Sequence, residues 1–231
     1  MTRKLVLGFL VFTAMFVCHS SPVRSSLGAR GKSDVVSLPY DAEVEWIQPS
    51  GGAYINTGIT VSLEEFDWMV DIAFGSSIDL SKHQFMFGAV YQGDMCGVSQ
   101  GMYFILRPGW HPSSPVPDIC SVGERVKLRV VKSAGSSSLF LNGSQIVTST
   151  ESPSYSSGVF CILGSSLDQY PSATYTYLLY GASDAGGAFN LIPVRFTNEQ
   201  GVSEGAMYDR VSGQLFRNSG TGSFVIGPDK E

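Results

Sequence analysis

The chain has 231 residues, a formal net charge of -5 and a sequence pI near 5.2, with 43% hydrophobic and only 15% charged residues. An acidic chain repels a phosphate backbone, which argues against nucleic acid as a partner. Four cysteines and three histidines, with no Cys-x-x-Cys pair and no histidine spaced with cysteines, supply no zinc framework.

Arg3 and Lys4 precede an apolar run of 13 residues, Leu5 to Val17, that ends in Cys18-His19-Ser20-Ser21-Pro22. This is the pattern of a secretory signal peptide over residues 1–20, with cleavage expected after Ser20 or Ser21. The run falls short of the roughly 20 residues a helix needs to cross a bilayer, so no membrane span is expected. Cys18 closes the apolar region as an acylated cysteine would, but Met15-Phe16-Val17 lacks the small residues that usually precede one; lipidation is the lesser reading. Residues 21–38 are rich in Ser, Gly and Arg without apolar periodicity and predict a flexible linker. Residues 39–231 have the length of one β-sandwich, with no second linker and no internal repeat, and predict a single domain. Loss of Arg3 and Lys4 with the signal would take the net charge from -5 to -7. The expected location is secreted, periplasmic or cell-surface.

Along this domain the apolar pattern has period two. Phe66, Trp68, Val70, Ile72 and Phe74 alternate with Asp67, Met69 and Asp71, which predicts a strand with one face in a core. Similar strands are predicted at Gln84 to Tyr91, Met102 to Leu106, Val126 to Val131, Ser137 to Leu141, Gln145 to Ser149, Val159 to Leu163, Thr174 to Tyr180, Phe189 to Phe196 and Phe224 to Ile226. No 3.6-period segment reaches three turns, so helix is confined to a turn or two. Asn142-Gly143 between the alternations at Leu139 and Val147 predicts a type I′ hairpin, whose two central residues need positive φ. That tight turn also accounts for the Asn142-Gly143-Ser144 sequon without glycan. Many short strands with glycine-rich turns point to an all-β sandwich or barrel.

Three groups of residues carry a resemblance. They are Val44-Glu45-Trp46-Ile47 with Ala53 to Ile59 near the start, Ile192 to Arg195 with Met207 to Phe216, and Asn218 to Phe224. This cassette resembles the two ends of a LamG-like jelly-roll domain of the concanavalin A-like lectin/glucanase superfamily, and the Asn142-Gly143 hairpin is similar to one found throughout it. The resemblance implies a two-sheet antiparallel jelly-roll sandwich with little helix. It further implies a ligand site on the concave sheet or its rim loops. Residues 91–123 depart from the pattern and are where individuality is expected.

Glucanases of that superfamily carry three acids on one strand, spaced so that alternate side chains reach the sugar. Here Glu65-Phe66-Asp67 begins the set but meets Val70, and Glu43-Val44-Glu45 continues into Trp46-Ile47-Gln48, so neither completes it. No catalytic residue is assigned, and both stretches read as acidic strand faces toward solvent. Trp110 and His111 lie in a proline-stiffened loop that presents side chains at low ordering cost. An exposed indole there would bury about 100 Å² against a pyranose, roughly 2 to 3 kcal/mol and weak on its own. Folding back as a lid is the alternative for Trp110. Tyr91 and Tyr103 could extend the platform, as could Tyr155 and Tyr170, although tyrosine also fills ordinary β-surfaces. Trp46 and Trp68 keep phase with apolar neighbours and are expected in the core.

Cys96 and Cys120 sit in glycine- and proline-rich sequence and are the expected disulfide, with three unpaired thiols as the alternative; Cys161 lies in the apolar run Val159 to Leu163. Tyr208-Asp209 before Ser212-Gly213 predicts a turn in which the carboxylate caps backbone N–H groups. Some LamG domains bind calcium, which draws attention to Asp209, Asp184 and Asp168, yet no dense Asp/Asn cluster is present and no cofactor is expected. The function expected is an exported, non-catalytic binding or adhesion module for a glycan or cell-surface polysaccharide. A glucanase-branch hydrolase with relocated carboxylates and a structural subunit of a surface or phage-like assembly, with a protein partner, stay open.

Overall fold

The computed structural model describes residues 37–74, 84–90, 95–99, 103–107, 121, 123–150, 156–163 and 177–231. Ser37 to Glu231 cluster as one compact unit. The predicted signal peptide, Cys18 and nearly all of the predicted linker lie outside the described residues.

Sixteen strands and no helix occur among the described residues. The first four are β1 (Ala42–Glu43), β2 (Ile47–Ser50), β3 (Ile55–Ser62) and β4 (Phe66–Phe74). There follow β5 (Gln84–Val90), β6 (Met95–Ser99), β7 (Tyr103–Arg107), β8 (Arg125–Ser133), β9 (Ser136–Leu141), β10 (Ser144–Ser149) and β11 (Ser157–Ile162). The chain closes with β12 (Tyr177–Asp184), β13 (Asn190–Thr197), β14 (Ser203–Asp209), β15 (Leu215–Phe216) and β16 (Ser223–Ile226). One sheet runs β10-β9-β8-β4-β12-β13-β14-β15, with β1 on β13 and β2 joining β12 to β16; the other runs β3-β11-β5-β6-β7. Every pairing is antiparallel, and the fold is the expected two-sheet jelly-roll sandwich.

The period-two pattern becomes the core directly. Phe66, Trp68, Val70 and Ile72 of β4 are buried while Asp67, Met69 and Asp71 stay half-buried, and Val126, Leu128 and Val130 of β8 face the same interior. Aromatic rings tie the sheets together. Phe66 stacks on Trp68 at 3.8 Å between centroids, Trp68 meets Phe160 of β11 edge-on at 5.2 Å, and Phe160 stacks on Phe189 at 4.3 Å. Such rings bury about 150 to 250 Å² each and dominate core energetics.

Local irregularities have local causes. Between Val159 and Cys161 the register with β3 shifts, and Gly58 takes φ +66° there. The buried Thr57 hydroxyl then donates to the Phe160 carbonyl at 2.7 Å, satisfying a group inside the bulge. The predicted hairpin is present, with φ of 49° at Asn142 and 87° at Gly143, and Asn142 is pinned to Lys127 of β8 through both its backbone N–H and its side-chain oxygen. A second turn of the same kind was not apparent in the sequence: Ala134 and Gly135, at φ 51° and 76°, join β8 to β9.

The two ends of the domain meet. β16 pairs with β2, Val44 bridges Asp229, and the Arg195 guanidinium holds Asp229 at 2.7 Å with Asp41 at 3.9 Å. Asn218 organises the last turn, accepting from Tyr54 N and donating to the Gly222 carbonyl at 2.6 Å. A Cβ on Gly222 would fall 1.7 Å from the Ser50 carbonyl oxygen, so the chains touch there only because the residue is glycine. A small outer cluster of Ile192, Val194, Phe196 and Ala206 lies under Tyr40, Tyr208 and Leu215.

Trp46 departs from expectation. It is half-buried, its indole against Gly227, where a Cβ would sit 2.8 Å from the ring. The phase resets at the bend between β1 and β2, so alternation from Val44 does not carry through. Cys96 belongs to β6 opposite Phe87 and Leu106, a strand position rather than the loop expected; Cys120, and with it the proposed bridge, lies outside the described residues. Cys161 is buried and unpaired, and burial pushes its thiol up to about 12.

Candidate functional site

Three connections come together at one end of the sandwich: the β3–β4 turn, the β8–β9 hairpin and the β12–β13 turn. In the first, the Ser62 hydroxyl oxygen accepts from Glu64 N at 3.2 Å and Glu65 N at 3.4 Å, which holds Glu65 at the rim. In the third, Asp184 Oδ2 accepts from Ala188 N at 3.1 Å, and Ala185 N reaches across to the Asp67 carbonyl at 2.9 Å, docking the turn on β4. These elements enclose a cleft of about 450 Å³.

Burial sorts its lining into layers. Val61, Phe66, Trp68 and Lys132 are buried and make the floor, whereas Thr60, Ser62, Glu65, Ser133, Gly186 and Ala188 are exposed at the rim, with Asp67, Val131 and Asp184 between. A buried stack of two aromatic rings thus underlies a ring of hydroxyls and carboxylates. Lys132 occupies the place where the alternation Val126, Leu128, Val130 would put another aliphatic residue, and it is only 3% exposed. Directly across β8 and β9 from it stands Ser137, wholly buried, whose hydroxyl has no hydrogen-bond partner among the described residues. Polar chemistry therefore continues behind the floor.

The carboxylates differ in freedom. Asp67 is held by Arg129 through two bonds of 2.6 and 2.5 Å, and Arg129 in turn lies 5.5 Å over the Phe140 ring on the outer face of the sheet. Four residues further along each strand, Arg125 pairs with Asp71 at 2.8 Å and covers the Tyr180 ring at 3.9 Å. Glu43, from the other incomplete acid pattern, is paired with Arg210 at 2.8 Å. The Glu65 carboxylate has no ion-pair partner among the described residues.

The predicted turn at Asp209 is present and structural. Its carboxylate accepts from Asn190 N at 2.8 Å, Val211 N and Ser212 N at 3.1 Å each, and the Ser212 hydroxyl at 2.6 Å. Burial alone would raise its pKa, but these bonds outweigh burial and hold it below the ordinary 3.8. Four donors aimed at one carboxylate leave a cation no place there. Among the described residues no three His, Cys, Asp or Glu side chains are grouped to hold a metal.

Of the residues expected to bind ligand, Tyr91, Trp110 and His111 lie outside the described residues, as do Tyr155, Tyr170 and Asp168. Tyr103 is placed in β7, opposite Ser99. Sequence reasoning missed the cleft itself. Its one local signal was the lysine that breaks the apolar alternation of β8.

No family model matches the chain, and no curated protein matches it. Among solved structures it is similar to "Alginate lyase AlgAT5 from Polysaccharide Lyase family 7", at 13% identity and a TM-score of 0.39, over 55% of this chain. The match spans 61% of that chain's length.

Proposed function

We propose that this is an exported, non-catalytic glycan-binding module whose site is the end cleft. The observation that supports it is the layering of that cleft: buried Phe66 and Trp68 below, and hydroxyls of Thr60, Ser62 and Ser133 with carboxylates above. Sugars present hydroxyls that both donate and accept, which such a rim can meet, while Phe66 and Trp68, buried beneath it, shape the floor rather than offering a stacking face. A volume near 450 Å³ suits one or two sugar units. Binding is favoured over hydrolysis because Asp67 and Asp184 already hold parts of the fold, Asp67 through Arg129 and Asp184 through Ala188 N.

A hydrolase with relocated acids is the second reading, favoured by one observation: Glu65 and Asp184, distant in sequence, line the same cleft. An array of glycans probed with the full chain, beside an Ala188→Trp variant, tests the proposal. Ala188 is exposed at the rim, so an indole there obstructs the cleft without entering the core. Retention that disappears in the variant at unchanged melting temperature is the expected result. Retention untouched by the plug would remove the cleft from the reading, and shortened glycans in the eluate would replace binding with hydrolysis.

A further inference from the structure

We infer that the end cleft takes uncharged sugars and turns away anionic ones such as uronates; this rests on the glycan reading above. Two carboxylates not held in an ion pair among the described residues, Glu65 and Asp184, line the cleft against a single ammonium, Lys132, while the third acid of the lining, Asp67, gives both oxygens to Arg129. That ammonium is no open anion receptor. Lys132 as a whole is 3% exposed and has a partner within the protein. The nearby guanidinium of Arg129 is likewise committed, by two bonds to Asp67 on the outer side of the sheet.

What the rim offers a ligand is therefore mostly acceptors. Carboxylate oxygens only accept, and they match the O–H donors that a neutral sugar carries on every ring carbon bearing a hydroxyl. A uronate exchanges one such donor for an acceptor-only group of like charge, losing a bond and adding repulsion. The rim hydroxyls of Thr60, Ser62 and Ser133 serve either partner and do not discriminate. Selectivity falls to the carboxylates, Glu65 first, because it is exposed and has no ion-pair partner among the described residues. Charge at an open rim is screened over a Debye length of about 8 Å at physiological salt, so the discrimination should grow as salt falls.

The test is affinity electrophoresis of the full chain through gels containing laminarin or xylan, and through gels containing polygalacturonate, across a salt series. The neutral polymers should retard it at least tenfold more strongly, with a gap that widens at low salt. Equal or stronger retardation by polygalacturonate overturns the selectivity and leaves the glycan reading standing. Retardation by none of them overturns the glycan reading itself. Glu65→Gln, which removes one rim charge and no structural bond, should narrow the gap several-fold at low salt; an unmoved gap would take the discrimination away from this rim and overturn the inference.

Discussion

Asp209 and Ser137 are both buried in the large sheet, and they are built on opposite terms. Around Asp209 every lone pair that counts is met, by three backbone N–H groups and a hydroxyl drawn from β13 and the turn after β14. Around Ser137 no described residue meets the hydroxyl, and its cross-strand neighbour is a buried lysine. The first arrangement explains itself as structure, because it closes a tight turn and fastens β13 to it. The second costs stability and returns none locally, and it lies just behind the floor of the cleft.

The sharpest way to break this contrast is at Asp209. Asp209→Asn turns an amide N–H₂ toward backbone donors and should destabilise the domain by about 3 kcal/mol, read by chemical denaturation at pH 7. Because the folded pKa lies below the ordinary 3.8, the stabilisation is complete above that value and is lost as pH falls through the folded pKa. Wild type and variant should therefore converge in acid. A gap that stays constant down to pH 2 would mean that the charge is not what matters.

At Ser137 the sign reverses. Ser137→Ala removes an unpartnered buried hydroxyl and should stabilise by about 1 kcal/mol in the same assay; a loss of that size would show that the hydroxyl has a partner after all. The smallest effect belongs to the hairpin beside it. Ala134 adopts φ 51°, which strains a Cβ-bearing residue, and Asn tolerates that region better. Ala134→Asn should raise the melting temperature by about 1 to 2 °C through roughly 0.5 kcal/mol, without altering the cleft.

Much of the framework was legible because period-two burial is a local signal. The β4 alternation, the Asn142-Gly143 turn and the Asp209 turn each depend on residues within a few positions of one another. β6 was not legible: Gly93-Asp94-Met95-Cys96-Gly97 has the composition of a loop, and only pairing with β5 and β7 makes Met95–Ser99 a strand. Trp46 misled because alternation was carried across a bend. The cleft was hidden for a larger reason. Glu65, Lys132 and Asp184 converge only because β4 lies between β8 and β12, a strand order that no local pattern states.

The meeting of the two chain ends has a mechanical consequence. Val44 and Asp229 lie opposite each other as antiparallel bridge partners, with Cα atoms about 5 Å apart, so the polypeptide enters and leaves the sandwich at almost one point. A host protein whose surface loop were opened by that small distance could carry this domain as an inserted cassette, with neither connection stretched and the aromatic interior undisturbed.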